Sequence, residues 1–127
     1  MRFRLTLPLV ISTLFLAVLI VMIYHALSSP LALTSQEARK LINTGYFTQV
    51  VDVRTDTEWE SGHLPQAIHI PTAKIPTLLP ELIPDKKNSR ILFYCNTSTR
   101  ARMAAEKAKA LGYKNVKYLL GTHYALL

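Results

Sequence analysis

The chain has 127 residues and a single cysteine, Cys95. That excludes a disulfide within the chain and any metal site built from several thiolates. No acidic residue precedes Glu37, and no charged residue of either sign falls between Leu5 and Leu27, counting His25 as neutral. Internal repeats and low-complexity stretches are also lacking. Lysines and arginines are scattered over Arg39–Lys117 without a long run or interleaved aromatics, so no nucleic-acid partner is expected. The length leaves room for one domain.

What is present is uneven. The apolar fraction is 50%, but much of it lies in the first 27 residues. Leu5–Leu27 is 23 residues long, enough to span a bilayer as a tilted helix. Pro8 falls near its start, where a helix tolerates proline. Tyr24 and His25 stand at its far end, a common interfacial position. Arg2 and Arg4 precede it, which by the positive-inside rule puts the N-terminus in the cytoplasm and the remainder outside. Residues 1–28 are thus expected to be an N-terminal transmembrane anchor, and residues 31–127 the soluble domain. The protein would sit in the inner (plasma) membrane, single-pass, with its C-terminal domain periplasmic or extracytoplasmic. A cleaved signal peptide is the rival, with Ala26-Leu27-Ser28 spaced for cleavage after Ser28. The run exceeds the roughly 7–15 residues of a signal centre, which favours an uncleaved anchor. Beyond residue 28 there are 13 basic and 8 acidic residues, a net +5. Such a balance suits anionic substrates or an anionic membrane face, or is simply a solvated basic surface.

After the breaker Ser28-Ser29-Pro30, helical and strand signals alternate. Thr34 and Glu37 stand in capping-box positions before a helix to about Asn43, stopped by Gly45. Gln49–Val53 and Ala67–Ile70 read as buried strands, separated by one polar helical turn over Thr55–Ser61. Thr72–Leu82 is apolar at helical spacing but punctured by Pro76 and Pro80. Arg90–Tyr94 is the clearest strand, Thr99–Leu111 a helix stopped by Gly112, and Val116–Leu119 a last strand. This alternation predicts an α/β domain with a mainly parallel sheet.

The chemistry concentrates at strand–Cys95–polar loop–helix. Ligands of open α/β sheets bind beyond the carboxyl ends of strands, and Cys95 sits at one. The free N–H groups of the following helix attract an anion and favour thiolate, the nucleophilic form. A buried, inert thiol is the equal alternative on these grounds. Arg100, five residues on, either meets an oxyanion at the loop's mouth or faces water from the first helical turn.

Over about Leu31–Leu127 the sequence resembles the rhodanese family. Val51-Asp52-Val53-Arg54 is similar to its Asp-x-Arg strand end. Glu58, followed by Gly62-His63-Leu64-Pro65-Gln66-Ala67-Ile68-His69-Ile70-Pro71, is similar to its Gly-His-Ile-Pro-Gly-Ala segment. Tyr94-Cys95 through Arg100 resembles its active-site loop, and Leu111-Gly112-Tyr113 the strand entry that follows. Small exported rhodaneses of the phage-shock kind are the nearest type. The resemblance implies a three-layer domain and a sulfurtransferase. Cys95 would take sulfur from an anionic donor such as thiosulfate as a persulfide, then pass it to a thiol or cyanide. Backbone N–H groups of Asn96, Thr97, Ser98, Thr99 and Arg100 would cradle the persulfide. Asp52 and Arg54 would be buried polar support. No metal or organic cofactor is implied. His63, in its turn, is either a base or a packed turn residue; His69 and His123 receive no role, and Trp59 is read as a cover over the core.

Four positions depart from the family pattern: Ser98 where glycine is frequent, Thr122 in a Gly-Gly pair, Leu126 where tryptophan is common, and Gln66 for glycine. They keep open a second reading, a non-catalytic rhodanese-like binding module at the membrane. A Cys-dependent phosphatase or arsenate reductase is a third; its loop is Cys-x5-Arg, one residue longer than Cys95–Arg100.

Overall fold

Side-chain alternation along the strands fixes how the soluble part is layered. The computed structural model describes residue 4, residues 6–27 and residues 29–127, the side chains of 25–27 aside. Contacts divide the chain into two units, Met1–Pro30 and Leu31–Leu127.

The first unit is one helix, α1, Leu7–Leu27. Its 21 residues extend about 30 Å at 1.5 Å per residue, the thickness of a bilayer's hydrocarbon core. Pro8 lies in its first turn, where the missing N–H breaks no bond. The apolar window Leu7–Tyr24 is 18 residues long. By length and composition it is a candidate membrane span or signal sequence. Arg2, half of the charge pair used for orientation, and Ser28, at the candidate cleavage point, lie outside the described residues.

The second unit is a five-stranded sheet. Its strands are β1 (Ala32–Leu33), β2 (Gln49–Asp52), β3 (Ala67–His69), β4 (Arg90–Tyr94) and β5 (Asn115–Leu119). The spatial order is β1-β5-β4-β2-β3, and every neighbouring pair is parallel. Parallel neighbours require crossovers. These are α2 (Ser35–Asn43), α3 (Asp56–Glu60), α4 (Ile75–Leu82) and α5 (Thr99–Ala110). The fold is therefore the α/β one that the alternation predicts.

The central strands bury both faces. Val51, Ile91, Phe93 and Cys95 point into one cluster with Ile75 and Leu79 of α4 and the buried alanines of α5. Val50, Leu92 and Tyr94 point into the other, with Ala38 of α2 and Leu119. Continuous apolar runs such as Ile91-Leu92-Phe93 are what a doubly covered parallel sheet requires. On α5, Ala101, Ala104, Ala105 and Ala108 recur at helical spacing, all with 0% exposure. Their small size lets the helix lie close on the sheet and brings its first turn to the end of β4.

Some local features differ from expectation. Thr34 caps α2 through the Glu37 N–H, at 3.2 Å. The full reciprocal box, however, is at Thr55–Glu58, opening α3. β1 is only two residues long, too short to carry any period. Thr72–Lys74 is a 3-10 turn leading into α4. Helix α4 keeps Pro80 in its interior at the cost of one hydrogen bond. Ile75 and Leu79, buried at 0% exposure, anchor it there. Gly112 ends α5's turn at φ 104°, where a side chain would be strained.

Candidate active site

The site lies where the sheet's strand order reverses, at the carboxyl ends of β2 and β4. This is the position at which open α/β sheets bind ligands. Cys95 is the first residue after β4. It is fully buried, and its Sγ receives the N–H of Ala101 at 3.4 Å. Ala101 is the third residue of α5, so this N–H is one of those left without an intrahelical acceptor. The N-terminus of α5 is thus aimed at sulfur, as the sequence suggested, but the donor is one residue beyond the expected cradle. Within the cradle, no acceptor among the described residues engages the N–H groups of Asn96, Thr97, Ser98 or Arg100. Thr99 N–H instead donates to Thr97 O at 2.8 Å.

That last bond closes a three-residue turn centred on Ser98, at φ 68° and ψ −38°. Serine stands here in the left-handed region, where glycine is free of strain. Its Oγ accepts the Gly121 N–H at 2.5 Å and ties the loop to the C-terminal tail. Ser98→Ala keeps the strain and loses the bond, with an expected loss of about 1 kcal/mol. Ser98→Gly loses the same bond but relieves the strain, so it should be nearly neutral. Urea unfolding of the two variants checks this; equal losses would contradict it.

Arg100, part-buried, is engaged by a carboxylate from another element. Its Nη1 and Nη2 donate to Glu58 Oε1 and Oε2 at 2.6 and 2.9 Å. Asn96 Nδ2 donates to the same carboxylate at 2.5 Å. From the other side, Thr55 N–H and Oγ1 donate to Oε1 at 3.1 and 2.9 Å. This pairing holds the Glu58 carboxyl well below its ordinary range, at about 2. The main cause is the hydrogen bond from Arg100, which outweighs partial desolvation. The Arg100 guanidinium is raised in turn by Glu58 and, to a smaller degree, by Cys95 and Asp52.

Asp52 and Arg54 lie under the loop on the opposite face of the sheet. Asp52 is in register with Tyr94, the neighbour that alternates away from Cys95. Arg54 Nε donates to both Asp52 oxygens at 3.0 Å, and Nη2 to Oδ2 at 2.7 Å. Nη2 also donates to Gly62 O at 2.6 Å. The Arg54 backbone N–H closes on Oδ1 at 2.9 Å. The pair therefore bends the chain out of β2 and fixes the start of α3, which carries Glu58. Above it, Tyr94 Oη accepts the Leu64 N–H at 3.2 Å, and burial raises its phenol.

Sequence reasoning gave Glu58 no place in the site, although Thr55-x-x-Glu58 is a capping-box signature that fixes its carboxylate at a helix start. It also missed His123. That residue's N–H donates to Cys95 O at 3.2 Å, and its ring stacks on Tyr94 at 5.8 Å. The ring is 2% exposed, and burial lowers its pKa. No pattern of spacing marks it. Thr122 caps this last turn, His123–Leu126, through the Tyr124 N–H, and Leu126 packs on the α2 side. The tail is therefore docked, despite its departures from the family pattern. His63 is a packed turn residue: Nδ1–H donates to Trp59 O at 2.8 Å, and its ring stacks on Trp59 at 3.3 Å. Trp59 also stacks with His69, which donates from Nε2 to Arg54 O at 2.7 Å.

A thiol at the switch point of a parallel sheet, under the N-terminus of the next helix, defines a cysteine-loop α/β domain. Residues 34–123 match the model of the rhodanese-like domain, and the chain belongs to that family. It is 34% identical over 67 residues to the putative sulfur carrier protein YrkF of Bacillus subtilis, covering 53% of this chain and 35% of that one. It is 35% identical over 74 residues to the tRNA uridine(34) hydroxylase of Sodalis glossinidius, covering 56% and 21%. The chain thus spans about a third and a fifth of these relatives. The human single-domain sulfurtransferase TSTD1 shares the fold with a TM-score of 0.64 at 23% identity, over 76% of this chain and 95% of that one.

Proposed function

We propose that the protein is a sulfurtransferase that carries sulfane sulfur on Cys95, held at a membrane by α1 with its domain on the periplasmic or extracytoplasmic side. The observation that supports this most is the Ala101 N–H at 3.4 Å from Cys95 Sγ, in a rhodanese-like domain. A helix N-terminus at that distance donates to the sulfur and stabilises negative charge developing on a sulfur bound beyond it.

In the first half-reaction the Cys95 thiolate attacks the outer sulfur of a donor. With thiosulfate, the S–S bond of the donor breaks and sulfite leaves with the bonding pair, giving Cys95–S–S⁻. In the second, a thiolate or cyanide attacks that terminal sulfur, and Cys95 leaves as thiolate. The charge that develops on the terminal sulfur would lie among the N–H groups of Asn96, Thr97, Ser98 and Arg100, which have no acceptor within the described chain. Thr99 would contribute its hydroxyl rather than its N–H, which Thr97 O already engages. Asp52 and Arg54 act only as support.

Intact mass of the full chain in detergent, before and after excess thiosulfate or polysulfide, tests the covalent step. A gain of about 32 Da, one sulfur atom, reversed by a thiol, is the expected result. No gain with either donor, on folded protein with a free thiol, would leave the non-catalytic binding module. Two observations favour that second reading: the thiol is fully buried, and Arg100 is engaged by Glu58.

A further inference from the structure

We infer that Glu58 selects the sulfur donor: by engaging Arg100 and Asn96 it withdraws the site's cationic anchor, so the site takes a low-charge persulfide of a thiol in preference to dianionic thiosulfate. This rests on the sulfurtransferase reading and narrows its substrate class.

Three arginines on the elements around the loop each have a carboxylate partner. Arg100 is paired with Glu58 through both terminal nitrogens. Arg54 is paired with Asp52 beneath the loop. Arg102, two positions beyond Arg100, lies 3.9 Å from Glu106 on the outer face of α5. The loop between Cys95 and Arg100 reads Asn-Thr-Ser-Thr and brings no charge. Other basic residues of α5, Lys107 and Lys109, sit in its last turn, away from the loop.

Glu58 is not a loose side chain that an incoming anion displaces cheaply. Five donors converge on its two oxygens, from Thr55, Asn96 and Arg100. Freeing Arg100 for a sulfonate leaves a carboxylate with two of its partners lost and a second anion beside it. A thiosulfate dianion would therefore be held by neutral N–H groups alone, next to a negative side chain. A persulfide of a thiol carries at most one negative charge there, and reacts as its protonated form R–S–SH.

Asn96 adds an independent sign. With Nδ2 committed to Glu58, its Oδ1 is buried and has no hydrogen-bond partner among the described residues. The opposite amide orientation would set a carbonyl against the carboxylate and is excluded by repulsion. A buried orphan acceptor directly after Cys95 is complementary to a donor such as S–H and repels an oxyanion.

The step balances simply. Cys95 thiolate attacks the terminal sulfur of R–S–SH, the donor's S–S bond breaks, and R–S⁻ leaves with the bonding pair. The transferred sulfur keeps its proton, giving Cys95–S–SH.

The test is the rate of single-turnover loading of the full chain in detergent, read by intact mass, from cysteine persulfide and from thiosulfate at equal concentration. The wild type should load faster from cysteine persulfide. Glu58→Gln should raise thiosulfate loading about fivefold and make it salt-sensitive, with little change for the persulfide. Arg100→Gln, which leaves the Glu58 carboxylate uncovered, should depress thiosulfate loading more than persulfide loading. A wild type that prefers thiosulfate, or a donor ratio that neither variant changes, would overturn the inference and leave the sulfurtransferase standing. Failure of both donors to load the wild type would overturn the sulfurtransferase reading itself.

Discussion

Arg54→Met is expected to destabilise the domain by about 3–5 kcal/mol, the range for removing one partner of a buried ion pair. Arg54 is 2% exposed and Asp52 0%. Methionine matches much of the arginine's volume but leaves the Asp52 carboxylate buried without its guanidinium partner. It also leaves Gly62 O without its guanidinium partner. The consequence runs further than local strain. Asp52 ends β2, and the turn it makes with Arg54 sets where Thr55 begins α3 and hence where Glu58 stands. Equilibrium urea unfolding, followed by far-UV circular dichroism, measures the loss. Asp52→Leu combined with Arg54→Met should recover part of it, because no uncompensated charge remains. A loss below about 1 kcal/mol in the single variant would show that water reaches Asp52 and that the pair is not the support described here.

Cys95→Ser should abolish persulfide formation while leaving the domain folded. The chain has no second cysteine, so nothing can substitute for it as a thiolate carrier. A serine hydroxyl is not ionised near neutral pH, and His63 and His69 are engaged with the backbone carbonyls of Trp59 and Arg54. Its oxygen still accepts from Ala101 N–H, so the buried polar atom retains a partner, and the expected stability change is within about 1–2 kcal/mol. Sulfur transfer to cyanide, followed by thiocyanate formation, should fall to the uncatalysed level. A 32 Da adduct (about one sulfur) that persists in the variant would place the chemistry elsewhere in the chain.

How legible these features were depends on the range over which each signal acts. Strand Arg90–Tyr94 and helix Thr99–Ala110 were readable because an apolar run, a polar loop and a set of helix formers follow one another directly. Cys95 was readable for the same reason: its position at a strand end is a local fact. β1 was not, because two residues carry no periodicity and its pairing partner is β5. The engagement of Arg100 was hidden because Glu58 reaches it from a different crossover, 42 residues away in sequence. His123 was hidden because its burial is decided by the ring of Tyr94, not by anything in its own neighbourhood. Asp52 and Arg54 were identifiable only through family resemblance, since a lone acidic residue in an apolar strand is ambiguous until its partner is known.

The sheet order has a consequence for how the chain reaches its folded state. β1, the first strand of the domain, is held at the edge only by β5, the last, with Ala32 beside Tyr118 and Leu33 beside Leu119. The central pairing of β2 with β4 likewise skips a strand and two helices. Almost every stabilising contact in the sheet is therefore non-local, the topology that folds slowly because loop closure precedes any reward. A nascent chain emerging from the ribosome cannot complete this sheet until β5 has been made. That delay keeps the polypeptide open until its last strand has been made.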